Sequence, residues 1–73
     1  MNELAECPRR EALVDETQEA LMKLADLARR QAEALRAGSD NLVMAIDHEI
    51  ENTLGAKERA LGALREHRQQ HGC

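Results

Sequence analysis

Apolar residues recur every three or four positions over residues 14–35 and again over 43–64, with polar residues filling the intervals. This is the period of an amphipathic helix, written twice. In the first stretch the spacing runs through Cys7, Arg10, Val14, Thr17, Leu21, Leu24, Ala28, Gln31 and Leu35, flanked by Leu13, Ala20, Leu27 and Ala34. In the second it runs through Val43, Ile46, Ile50, Thr53, Lys57, Ala60, Leu64, His67 and His71, with Met44, Leu54 and Leu61 beside it. A heptad stripe widened in this way suits a helix bundle better than a simple two-stranded coiled coil.

Punctuation between the stretches is confined to Ala37-Gly38-Ser39-Asp40. Gly38 is placed to take the left-handed conformation that closes a helix, and Ser39 or Asp40 can accept the free amides that open the next one. So short a connection makes the two helices antiparallel neighbours. Pro8 is tolerated at a first helical position, which puts Cys7 at or near the N-cap and leaves residues 1–6 frayed or at most an extra turn. The pattern therefore predicts a single all-α domain, an antiparallel two-helix hairpin: helix 8–37, turn 38–39, helix 40–71, with Gly72 ending the second helix.

Composition adds a constraint on stability. Seventy-three residues without Phe, Tyr or Trp bury their apolar stripes only against one another, and the resulting core is thin. Self-association is the expected remedy, most simply as a homodimer of two hairpins in a twofold-symmetric four-helix bundle. A net charge of −4 and the lack of aromatic stacking platforms argue against nucleic acid as a partner. No apolar run reaches the roughly 18 residues needed to span a bilayer, and the first six residues lack the pattern of a signal peptide. A soluble cytoplasmic protein is expected, and a membrane-surface role is disfavoured by the negative charge.

One cluster carries candidate chemistry. A turn centred between Gly38 and Ser39 sets residue i of the first helix opposite about 77 − i of the second, so Cys7 falls near residue 70. Cys7, His67, His71 and Cys73 then converge at the open end of the hairpin, and His67 and His71, four apart, leave the same helical face. Two thiolates and two imidazoles satisfy tetrahedral Zn²⁺ as a closed, structural site. The competing readings are a Cys7 to Cys73 disulfide, worth about 4 kcal/mol in the loop-entropy model, and a bland end. In the bland one, histidines solvate the last turn, favour the negative end of the helix dipole, and leave the thiols free.

Other motifs lead away from catalysis. A di-iron bundle needs Glu-x-x-His on inward positions, whereas this chain offers only the reversed His48-Glu49-Ile50-Glu51, with His48 turned from the seam. No nucleophile sits beside a histidine and an orienting carboxylate, and no glycine-rich phosphate loop follows a strand. No enzyme and no cofactor are expected. The open end is locally basic through Arg9, Arg10, Arg65, His67 and Arg68. It is suited to an acidic partner segment, or to glutamates of this chain such as Glu6, Glu11 or Glu66. Asp47 is expected to pair with Arg30. Gln31 and Lys57 interrupt the seam, either to fix register or as edge positions. Gly55 and Gly62 read equally as a close contact between protomers or as tolerated exposed positions. The sequence thus points to a small non-enzymatic interaction protein that self-associates and can present a surface to a further protein, with a zinc-binding or thiol-responsive hairpin as the alternative.

Overall fold

The computed structural model describes residues 2–71 and the side chains of residues 8–70. Two helices, α1 (Asn2–Ala37) and α2 (Asp40–His71), pack against each other as a hairpin. The result is a rod of 57 × 14 × 11 Å with a radius of gyration of 16.4 Å, where a compact domain of this length would have about 11 Å. With one partner per helix, the core is a single line of side chains. Among the described residues no large side chain is sealed completely, and the best covered, Leu27, keeps 3% of its surface exposed.

The reversal rests on two backbone bonds. Gly38 adopts a φ of 75°, its amide donates to the Leu35 carbonyl at 3.1 Å, and the Ser39 amide donates to the Ala34 carbonyl at 3.0 Å. That pair of bonds is the Schellman arrangement, which satisfies carbonyls a helix end would otherwise orphan. Ser39 is the N-cap of α2, its carbonyl accepting from the Val43 amide at 3.0 Å, and Asp40 in the first turn compensates the positive end of the helix dipole.

Helix α1 starts six residues ahead of Pro8, not at it. The segment Asn2-Glu3-Leu4-Ala5-Glu6 is made largely of strong helix formers, with acidic residues at the positive end of the dipole. Pro8 therefore sits inside the helix, where its missing N–H leaves the Leu4 carbonyl without its usual donor.

On α1 the buried and half-buried positions that face α2 run Arg10, Leu13, Thr17, Ala20, Leu24, Leu27, Gln31, Ala34; Val14 and Asp26 are half-buried off that line. Arg10, Thr17, Leu24 and Gln31 keep the seam positions expected from the sequence, and the alternate positions shift by one residue. Leu13, Ala20, Leu27 and Ala34 form the core row, whereas Leu21, Ala28 and Leu35 are exposed and Val14 is half-buried. The two rows are about equally apolar, and the turn decides between them. A two-residue connection forces the helices together at residue 34, where the small Ala34 permits close approach and Leu35 would hold them apart. On α2 the seam follows the sequence spacing: Val43, Ile46, Ile50, Thr53, Lys57, Ala60, Leu64 and His67 are all buried or half-buried.

Packing is uneven along the rod. Leu27, Ala34 and Ile46 form the core cluster near the turn, with Val43 and Ile50 against it. Toward the open end, polar residues share the seam. Thr17 and Thr53 enter it with their hydroxyls donating back to the Leu13 and Glu49 carbonyls at 2.8 and 2.9 Å, which removes the penalty of burying them unsatisfied. The turn end therefore carries most of the hydrophobic stabilisation.

Candidate functional site

Residues one position beyond the seam fall on the same side of the hairpin in both helices, because the handedness of the helix and the antiparallel direction reverse together. On α1 that row is Val14, Leu21, Ala28, Leu35; on α2 it is Asp47, Leu54, Leu61, Arg68. Leu21 and Leu35 are 49% and 63% exposed, and Leu54 and Leu61 are each 38% exposed. Solvent thus meets a band of leucine along one side of a rod that has few buried leucines to begin with. The opposite side is charged, with a cleft of about 570 Å³ bordered by Arg9, Glu16, Glu19, Lys23 and Arg59 over alanines. Leu42, 51% exposed, is on that side near the turn.

Gln31 joins the two helices on the leucine side. Its amide donates to the Val43 carbonyl at 3.3 Å and to Asp47 Oδ1 at 3.2 Å, so this polar seam residue fixes the register between the helices. Asp47 is thereby committed to Gln31. Arg30 lies on the charged side and pairs with Asp26 at 3.1 Å, so the expected Arg30–Asp47 pair does not form. Arg29 also reaches Asp26 and Glu33, at 2.7 and 3.4 Å. These ion pairs are solvent-exposed and contribute under about 1 kcal/mol each.

At the open end, His67 is buried on the seam facing α1, at 6% exposure, at the level of Arg10. That placement is incompatible with a His67 that merely solvates the last turn. Helix α2 continues through His71, which keeps the one-turn spacing between the two histidines. The side chains of Cys7 and His71 and the whole of Gly72 and Cys73 lie outside the described residues, as does the side chain of Glu6. Among the described residues, no group of three or more His, Cys, Asp or Glu side chains is arranged to hold a metal ion.

Three arginines define the neighbouring surface. Arg10, Arg65 and Arg68 surround a cleft of about 200 Å³ floored by Leu61 and Leu64, on the leucine side. Among the described residues, none of the three pairs with Glu11 or Glu66; Glu66 instead accepts from Gln70 at 3.4 Å. His48 is exposed on the outer face of α2. Gly55 and Gly62 are also on that outer face, away from the α1 seam, and an added Cβ meets only the end of Arg59 at Gly55 and open space at Gly62. The exposed row of leucines is the functional feature the sequence spacing misplaced; its signal was the second apolar row beside the seam.

Comparison with protein families, curated proteins and solved structures finds no match. No described helix is long and apolar enough to cross a membrane.

Proposed function

We propose that this chain is a small non-enzymatic interaction protein that dimerises through its leucine side, two hairpins forming a four-helix bundle. The observation that carries the reading is the set Leu21, Leu35, Leu54 and Leu61, each at least 38% exposed and all on one side. Exposed leucines aligned along one side of a rod suit an interface with another protein. The thin seam gives a further reason, since a second hairpin supplies the burial that one helix pair lacks. Sedimentation equilibrium and thermal melting over a concentration series test it. A dimer gives a doubled mass and a melting temperature that rises with concentration, whereas a monomer with concentration-independent melting overturns the reading.

A zinc-binding or thiol-responsive role is the second reading, supported by His67 turned inward at the open end with His71 one helical turn beyond. Purified protein would then carry stoichiometric zinc and melt at lower temperature after chelation, or lose free thiol on mild oxidation. Metal-free protein whose melting ignores both chelator and oxidant refutes it.

A further inference from the structure

The leucine side has a direction. Along α2 its inner row reads Asp47, Leu54, Leu61, Arg68, and the row outside it reads Met44, Glu51, Glu58, Arg65. Along α2, Asp47 and Glu51 thus lie toward the turn, leucines occupy the middle, and Arg65 and Arg68 join Arg10 at the open end, where three arginines outnumber the one carboxylate of the outer α1 row, Glu11. Read from the other end, Asp-Leu-Leu-Arg becomes Arg-Leu-Leu-Asp, so the row is complementary to its own reverse.

Resting on the self-association reading, we infer that the two hairpins meet head to tail, the turn of each against the open end of the other, with α2 lying antiparallel on α2 of the second copy. The twofold axis passes between residues 57 and 58. About that axis Leu54 meets Leu61 of the second copy, Asp47 meets Arg68, and Glu51 falls within one residue of Arg65, a rise of about 1.5 Å. The rod is 57 Å long, and the complementary row from Asp47 to Arg68 covers about 31 Å of it at 1.5 Å per residue. A twofold along the rod, which lays α1 on α2 with both open ends together, brings two sets of Arg10, Arg65 and Arg68 to one end. Like charges set against each other in this way oppose assembly. Glu58, in the outer row at the axis, is the one group that faces its own copy in the head-to-tail arrangement.

Charge swapping tests the orientation. Asp47 and Arg68 are twenty-one residues apart on α2, about 31 Å, so they cannot pair within one hairpin. Asp47→Arg weakens dimerisation about tenfold or more, and Asp47→Arg with Arg68→Asp in the same chain restores it. Asp47→Asn, which keeps an acceptor for Gln31, controls for the loss of that bond. Glu58→Gln tightens the dimer. A dimer weakened by Asp47→Arg but not rescued by the double swap, or one indifferent to these substitutions, refutes the head-to-tail arrangement while leaving self-association standing. A wild-type chain that is monomeric throughout refutes both.

Discussion

Replacing Leu54 and Leu61 together by serine probes the proposed interface at its centre. Each leucine keeps 38% of its surface exposed in the single hairpin. Full burial of a leucine side chain is worth about 1.5–3 kcal/mol, so covering the remaining fraction contributes roughly 0.8 kcal/mol per residue. A symmetric dimer covers four such residues, which amounts to roughly 3 kcal/mol, or about a hundredfold in Kd. The isolated hairpin also loses some stability, because most of each side chain is already covered within it and serine is a poorer helix former than leucine, so dimerisation is compared under conditions where the variant stays helical. Sedimentation equilibrium over roughly three decades of concentration, with far-UV circular dichroism as the control for folding, reads both quantities. If the double variant dimerises as tightly as the wild type while remaining helical, the leucine row is not the interface.

The remaining expectations concern the hairpin itself. Leu27→Ala empties the best-covered core position and lowers monomer stability by about 2–4 kcal/mol, whereas Leu21→Ala, in the adjacent row, alters dimerisation more than monomer stability; equal monomer losses in chemical denaturation would contradict the assigned seam. Pro8→Ala raises stability by up to about 3 kcal/mol, because the proline is interior to α1, and a melting temperature unchanged by it would mean the helix effectively starts at Pro8. Gly38→Ala costs about 1–2 kcal/mol from the left-handed φ alone, since nothing lies within 4 Å of the new Cβ. Gly62→Ala, with equally open surroundings, gains about 1 kcal/mol of helix propensity. A weakened dimer in the Gly62 variant would instead reveal a close contact between protomers.

Much of this fold is written locally. The 3–4 spacing on α2 and the Gly38-Ser39 punctuation determine two helices and their reversal, because helix period and left-handed capping depend on residues within a turn or two of each other. The paired level of Gln31 with Val43 and Asp47 follows from the turn position alone, as counting residues from Gly38 shows. Which α1 row forms the core does not follow, since Leu13-Ala20-Leu27-Ala34 and Val14-Leu21-Ala28-Leu35 are similarly apolar. Only the close approach of two helices beside a two-residue turn selects the row with Ala34. That choice also leaves the other row in solvent, so the proposed interface is a consequence of tertiary packing. The inward turn of His67 is legible in the α2 spacing, which puts it on the seam. The partnership of Asp47 with Gln31 instead of Arg30 is not: side of the hairpin is a property of two helices together, and neither helix encodes it by itself.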